Sequence, residues 1–394
     1  MSLRLAFVAQ ASQPDVNLSA LCAQFGISRP TGYKWVARAQ QAGSAGLAER
    51  SRRPTTSPTR TAAALEQRVL ALRAQHPAWG GRKLRARLQV LAPDQPVPAA
   101  STITAILQRH GLLAPADRAP HRRPPPQRFT YAAPNELWQM DFQGHLPLTA
   151  HPGGGQRCHP LTVLDDHSRF AVGVLACANE QHATVQAALT TLFRTYGLPR
   201  RILCDHGAPW GSAGGPTPWT RLSVWLVRLG VTVRHGRPRH PQTQGKDERF
   251  HRTLRAEALA QPLHDLTHAQ AVFDTWRQVY NTERPHEALG LTVPARHYTP
   301  SPRPFPETLP PVEYAASATV RKVQQEGWIS WQGQAYHVGG AFVGQPIALA
   351  PTDVDGMLAV YFADHWIASL DTRSHGVYPV SKQRSVVNYV PEHL

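Results

Sequence analysis

The sequence predicts an all-α amino-terminal region, an α/β sheet in the middle and a small all-β region at the carboxyl end. Three observations support this fold class. Apolar residues recur at helical spacing within residues 15–48 and 62–113, and short apolar strands alternate with helices over residues 130–290. Turn dipeptides between apolar runs indicate hairpins over residues 320–375.

The first segment has the pattern of a helix-turn-helix. One helical stripe is formed by Leu18, Leu21, Cys22 and Phe25. Gly26 then allows a sharp turn, and Ser28 is a good N-cap for a basic second helix over residues 29–41. Gly32 occupies an inward position of that helix, where a branched apolar residue is more usual. An ordinary helical hairpin is the alternative.

A second helical module follows the same style. We expect a helix over residues 65–75, a basic helix that opens at Trp79, and a third helix with an apolar face formed by Ile103, Ile106 and Leu107.

Proline-rich segments divide the chain, because proline disfavours both helix interiors and central strands. Five prolines lie within residues 115–128 and six within residues 299–311. The predicted parts are a helix-turn-helix DNA-binding module (1–53), a second helical DNA-binding module (60–114), a proline-rich basic linker (115–128), a core (129–298), a second linker (299–312) and a small β-domain (313–394).

Positive charge is concentrated in the first third of the chain. Residues 1–128 contain 19 Lys+Arg and 5 Asp+Glu, a net charge of +14, whereas residues 129–394 contain 23 and 21, a net charge of +2. This distribution is typical of a DNA-binding arm joined to a near-neutral body. We find no apolar stretch that predicts a membrane span, and no secretory signal. Buried thiols in a reducing cytoplasm, rather than disulfides or a zinc site, are expected for Cys22, Cys158, Cys177 and Cys204.

Two carboxylates follow apolar strands in the core. Asp141 ends the apolar run 137–140 within a strand predicted over residues 137–142, and Asp205 follows a short strand over residues 201–204. Acids at neighbouring strand tips repel each other, and a divalent cation with oxygen ligands is the ordinary solution. A strand-end hydrogen bond or salt bridge is the alternative for either acid taken alone. Asp165 and Asp166 are interpreted as turn formers in a hairpin.

A third acid lies on the helix predicted over residues 245–259. Its apolar stripe is formed by Phe250, Leu254 and Ala258. The opposite side carries Glu248, Arg252 and Arg255, which suits a metal site beside a phosphate backbone. Glu248 is therefore a better candidate than Asp247. His240 and His251 could assist proton transfer, but we interpret them as surface residues.

Four ordered blocks resemble the integrase core of bacterial insertion-sequence transposases and retroviral integrases. They are Trp-Gln-Met-Asp at 138–141, Asp-His-Gly-Ala-Pro at 205–209, His-Pro-Gln-Thr-Gln-Gly-Lys-Asp-Glu-Arg-Phe at 240–250 and Tyr-Asn-Thr-Glu-Arg-Pro-His at 280–286. The resemblance covers about residues 130–298. One departure is His206, where asparagine is common.

The resemblance implies a ribonuclease-H-like fold whose DDE triad is Asp141, Asp205 and Glu248. It implies two Mg²⁺ ions per active site, for which Mn²⁺ can substitute, and two-metal phosphoryl transfer without a covalent enzyme intermediate. The expected reactions are strand cleavage at the element ends and strand transfer into target DNA.

The expected partners are double-stranded DNA, as terminal inverted repeats and as target, and a second copy of the chain in a homodimer or higher oligomer. The expected location is the cytoplasm, at the nucleoid. Candidate DNA contacts are Arg29, Tyr33, Lys34, Arg38, Arg82, Lys83, Arg85, Arg239, Lys246, Arg249 and Arg252, with a solvated charged face as the alternative. Trp35 is expected in the core. The alternative functions are a DNA-binding regulator without catalysis and a simple metal-dependent nuclease.

Overall fold

The structure is a computed structural model that describes residues 3–49, 61–113, 130–150, 155–211, 219–235 and 245–380. These residues divide into two compact units, Met1–Ala62 and Ala63–Leu394. The predicted linker over residues 115–128 lies outside the described residues.

The first unit contains the predicted helix-turn-helix, preceded by a helix that the sequence patterns did not reveal. Its helices are α1 (Leu3–Ala11), α2 (Leu18–Gln24) and α3 (Arg29–Ala42). Ser28 is the N-cap of α3, as predicted, but its hydroxyl contacts that of Thr31 at 2.8 Å rather than a backbone N–H. Trp35 packs its ring against Phe7 of α1, which confirms its expected place in the core.

The unexpected helix α1 explains Gly32. A methyl group at Gly32 would lie 2.9 Å from Cζ of Phe7 and still closer to Sγ of Cys22. The side chain of Phe7 therefore fills the space that a branched residue at position 32 would usually occupy.

The second unit begins with three helices, α4 (Ala63–Gln75), α5 (Gly81–Leu91) and α6 (Ala100–Arg109). Ile103, Ile106 and Leu107 are buried, as their spacing predicted. Their module is held to the rest of the unit by ion pairs from α5. Arg87 pairs with Glu283 at 2.6 Å, and Arg82 pairs with Glu287 at 3.3 Å.

A mixed sheet forms the core of the second unit. Its strands are β1 (Trp138–Phe142), β2 (Leu146–Pro147), β3 (Arg157–Asp165), β4 (Ala171–Cys177), β5 (Arg201–Cys204) and β6 (Thr232–His235). The central strand β1 is antiparallel to β3 and parallel to β5, while β4 extends the sheet beyond β3 and β6 beyond β5. This order confirms the ribonuclease-H-like fold.

Helices cover both faces of the sheet, because its strands have apolar side chains on both faces. On one face, Trp138 and Met140 pack with residues of α7 (His182–Tyr196) and α8 (Arg221–Arg228). On the other face, Leu164 and Val174 pack with residues of α9 (Gly245–Glu257) and α10 (Leu266–Thr282).

The proline-rich segment after the core packs on it. The guanidinium of Arg303 donates hydrogen bonds to the carbonyl oxygens of Pro199, Leu229 and Gly230. Phe305 lies against Phe193. The segment predicted as a linker is thus fastened to the core.

The carboxyl-terminal domain is all-β, as predicted. Its strands are β7 (Thr319–Lys322), β8 (Trp328–Trp331), β9 (Gln334–His337), β10 (Pro346–Pro351), β11 (Met357–Phe362), β12 (His365–Asp371) and β13 (Gly376–Pro379). Five of them form one antiparallel sheet in the order β13-β12-β11-β10-β7, and β8 and β9 form a hairpin. The ring of Trp219, just before α8, packs against Phe342 of this domain.

All four cysteines are free and buried, as predicted. Among the described residues, we find no helix with the length and apolar character that crossing a membrane requires.

The packing around Gly32 predicts the sign of a stability change. At an open helix position, Gly→Ala stabilises a helix by about 1 kcal/mol. At position 32 the added methyl overpacks the core, so Gly32→Ala should lower the local free energy of unfolding by about 1–3 kcal/mol. Hydrogen exchange of peptides from residues 18–42 measures this. Ala37→Ser, on the exposed face of the same helix, is the control, and slower exchange in Gly32→Ala would contradict the packing argument.

Candidate active site

Two of the three predicted acids meet at one end of the sheet. β1 and β5 are parallel, and Gln139 is aligned with Leu203. Two residues further along each strand, the same register places Asp141 beside Asp205. Parallel strands lie about 4.8 Å apart, so the two carboxylates occupy neighbouring positions. Asp205 also accepts a hydrogen bond from the N–H of Gly207 at 3.0 Å.

The environment of Asp141 disfavours its negative charge. Burial, followed by the negative charge of Asp205, raises the pKa of Asp141 to about 6, against an opposing hydrogen bond from the backbone of Phe142. Glu180, between β4 and α7, adds a smaller effect in the same direction. Glu180 was not predicted from the sequence, because no local pattern indicates that this residue lies near Asp141.

The first turn of α9 contains one buried and one exposed acid. Asp247 is buried, and its pKa is raised well above its usual range by burial and by the charges of Asp141 and Asp166. Glu248 is exposed, on the side of the helix that also exposes Arg252 and Arg255. That exposed row is the one predicted from helical spacing, and Phe250 and Leu254 are buried as expected.

The donor set suits a hard divalent cation, although the described residues contain no group of three or more His, Cys, Asp or Glu arranged to hold a metal ion. Asp141 and Asp205 offer carboxylate oxygens. The raised pKa of Asp141 reflects burial and, after it, the negative charge of Asp205, and a cation would relieve the repulsion between the two carboxylates. The residues present therefore fit Mg²⁺ through Asp141 and Asp205.

A buried ion pair holds the start of α9 against the sheet. The ammonium of Lys246 donates to Oδ1 of Asp166, whose side chain is 1% exposed. Asp166 also accepts from Nε2 of Gln139 at 2.6 Å and from the N–H of Tyr131 at 2.9 Å. Burial lowers the pKa of Lys246, and the hydrogen bond to Asp166 opposes that shift.

The predicted turn-forming role is confirmed for Asp165, the last residue of β3. Asp165 accepts hydrogen bonds from the N–H groups of Ser168 and Asn135, which close the corner. Asp166 lies in the same corner and in addition forms the buried pair with Lys246.

His251 is buried, so its interpretation as a surface residue was wrong. It follows Phe250 on α9, and the inward side of the helix is wide enough to include it along with Asp247 and Leu254. Burial, with a smaller effect from Arg255, lowers the pKa of His251 to about 4, which keeps the ring neutral. His240 lies outside the described residues.

The candidate DNA contacts have different environments. Exposed side chains belong to Arg29, Tyr33, Lys34, Arg82, Arg249 and Arg252, and half-buried ones to Arg38, Lys83, Arg85 and Lys246. Burial, followed by the charge of Arg284, lowers the pKa of Lys83. Arg239 lies outside the described residues.

The segment after α10 has a structural role. Arg284 is buried and donates from Nε to Oε1 of Glu257 at 2.9 Å. The other oxygen of Glu257 accepts from Nε1 of Trp276 at 3.1 Å. These bonds connect the end of α9 to α10 and the segment that follows it.

Fold and site together define an integrase-like core, and sequence comparisons agree. Residues 132–241 and 229–294 each match a family described as integrase core domain. Residues 318–378 match the C-terminal domain of IS481 family transposases. Residues 3–55 match a helix-turn-helix domain, and residues 31–107 match a homeodomain-like domain.

Two insertion-element proteins are similar to this chain. The uncharacterized 31.7 kDa protein of insertion element IS407 from Burkholderia multivorans is 32% identical over 164 residues, which are 41% of this chain and 55% of that protein. The uncharacterized 39.2 kDa protein of IS476 from Xanthomonas euvesicatoria is 27% identical over 256 residues, 64% of this chain and 69% of that protein. The chain thus matches little more than half the length of the first relative. Over these matched segments the chain is similar to integrase core domains, to the C-terminal domain of IS481 family transposases and to insertion-element proteins.

Solved structures similar to the chain include two integrase catalytic cores. That of BIV integrase is 21% identical and covers 42% of this chain and 93% of its own, with a TM-score of 0.31. That of HTLV-2 integrase in complex with magnesium is 14% identical and covers 43% and 99%, with a TM-score of 0.32.

The raised pKa of Asp141 predicts a pH-dependent stability difference. Because the pKa is higher in the folded chain than in the unfolded chain, stability falls as the pH rises from about 4 to about 6, and the loss is complete above that window. Asp141→Asn removes this loss, so without metal it should raise the free energy of unfolding by about 1–3 kcal/mol at pH 7 and far less at pH 4.

Urea unfolding in EDTA at both pH values measures this difference. Asp353→Asn, at an exposed position of the β-domain, is the matched control. An equal gain for Asp141→Asn at pH 4 and pH 7 would show that ionisation is not its cause.

Proposed function

We propose that the chain is a polynucleotidyl transferase that cleaves DNA strands at the ends of its element and joins them to target DNA. The observation that carries this proposal is the pair Asp141 and Asp205 on adjacent parallel strands, within an integrase-like core. Two neighbouring carboxylates without a cation between them repel, and phosphoryl transfer uses the cations that relieve this repulsion.

Asp141, Asp205 and Glu248 are the proposed metal-holding residues. When bound, Mg²⁺ or Mn²⁺ supplies Lewis-acid stabilisation of the charge that develops on the attacking and leaving oxygens. Asp141 lies on β1 and Asp205 directly follows β5, so both carboxylates are positioned by the sheet. Glu248 is exposed on the first turn of α9, where DNA and solvent cations can reach it.

The cations of α9 are proposed to hold the DNA backbone beside the acids. Arg249 and Arg252 are exposed on the helix that presents Glu248. Guanidinium groups bind phosphate oxygens in bidentate geometry, which orients the strand that reacts. The ammonium of Lys246 is paired with Asp166. A phosphate bound by Lys246 would therefore share this ammonium with the buried carboxylate of Asp166.

The two amino-terminal helical modules are proposed to recognise the terminal inverted repeats. In a helix-turn-helix the second helix enters the major groove, and α3 exposes Arg29, Tyr33 and Lys34 for that contact. Joining two ends requires two active sites, so we propose at least a dimer on DNA, acting at the bacterial nucleoid in the cytoplasm.

A cleavage and joining assay tests the proposed reaction. The full chain should nick and join duplexes taken from the DNA that flanks its own gene, with Mg²⁺ or Mn²⁺. Asp205→Asn should lower the rate by at least about 10²–10³-fold, because it removes charge that stabilises the reacting site. Asp353→Asn should react as the unmodified chain. Tight end binding without cleavage by the unmodified chain would favour a DNA-binding regulator, and cleavage without joining would favour a nuclease.

The α3 surface predicts a specific binding defect. Lys34→Gln should weaken binding to the end duplex and reduce the slope of log K against log salt by about 1, because one phosphate contact is lost. Arg194→Gln removes the same charge from α7, outside the proposed DNA surface, and should leave the slope unchanged. An identical slope for Lys34→Gln would remove α3 from the binding surface.

A further inference from the structure

A buried chain of hydrogen bonds connects the strand of Asp141 to helix α9. Thr162 is the antiparallel neighbour of Asp141 and is 1% exposed. Its hydroxyl donates to the carbonyl oxygen of Asp141 at 2.9 Å. The same hydroxyl oxygen lies 2.8 Å from Nε2 of His251, which is 9% exposed.

The directions of both bonds follow from proton counting. A threonine hydroxyl has one proton, and a carbonyl oxygen can only accept. Since the proton of Thr162 goes to Asp141, Nε2 of His251 must carry a proton and donate it to Oγ1 of Thr162. The neutral ring therefore holds the Nε2–H tautomer, in agreement with the lowered pKa of His251.

These hydrogen bonds connect the two elements, β1 and α9, that carry two of the proposed metal-holding acids. Asp141 belongs to β1, and His251 lies three residues after Glu248 on α9. The ion pair of Lys246 with Asp166 restrains the start of the same helix. Between them, the two contacts restrain both the position of the first turn of α9 and its rotation about the helix axis.

We propose that Thr162 and His251 are positioning residues, which set the distance and orientation between the backbone of Asp141 and the first turn of α9. The role rests on the proposed function of the acids. Apolar side chains could fill the same space among Phe250, Leu254 and their neighbours, but they would not define one rotation of the helix. Substitution of a residue that orients a metal ligand without binding the metal typically lowers metal affinity or activity by about 10–100-fold.

Matched substitutions separate orientation from packing. Thr162→Val and Thr162→Ser differ in the hydroxyl, and His251→Met and His251→Gln differ in the N–H donor at similar volume. For each full-chain variant, Mn²⁺ binding is measured by electron paramagnetic resonance, single-turnover nicking of an end duplex by gel assay, and the folded fraction by circular dichroism.

The Val and Met variants should weaken Mn²⁺ binding and slow nicking by about 10–100-fold per folded molecule. The Ser and Gln variants should recover most of both. Val and Met variants that only lose folded fraction, with unchanged Mn²⁺ affinity, would overturn the positioning role. If the unmodified protein binds Mn²⁺ but does not nick DNA, the proposed reaction fails. The Mn²⁺ affinities of the variants then still decide whether Thr162 and His251 are positioning residues. No Mn²⁺ binding by the unmodified chain would overturn both.

Discussion

The repulsion between Asp141 and Asp205 is the constraint on which the site depends. The parallel register of β1 and β5 leaves the two carboxyl groups little freedom to separate, because both strands are hydrogen-bonded within the sheet. Burial then makes the charge of Asp141 more costly, which is visible in its raised pKa. Asp247 and Glu180 add further negative charge near Asp141, while cations and neutral donors hold the neighbouring elements in place. Lys246, Gln139 and Thr162 are the clearest cases.

Much of this arrangement could be predicted from the sequence, because it depends on local periodicity. Strand tips ending in Asp141 and Asp205 imply a shared edge, and the spacing of Phe250 and Leu254 assigns the faces of α9. The inward place of Gly32 was recognised as unusual. Its cause, the close approach of Cys22 and of Phe7 on helix α1, could not be derived, because it depends on how the helices pack.

Other features could not be predicted for a similar physical reason. His251 follows Phe250 directly, and a helical wheel places it near the boundary between the inward and outward sides. Its burial depends on the depth at which α9 packs on β3, and no spacing rule supplies that depth. The same holds for Glu180, whose effect on Asp141 acts through space. Composition predicted the proline-rich segment after the core as a stiff linker, and its fixed contacts with the core depend on Arg303 and the carbonyl oxygens that it reaches.

Those contacts of Arg303 have a mechanical consequence. Arg303 binds backbone oxygens of the turns that precede β5 and β6, and β5 leads directly into Asp205. A displacement of the β-domain away from the core would therefore strain these hydrogen bonds before β5 and β6. The segment thus couples the β-domain to the strand that leads into Asp205.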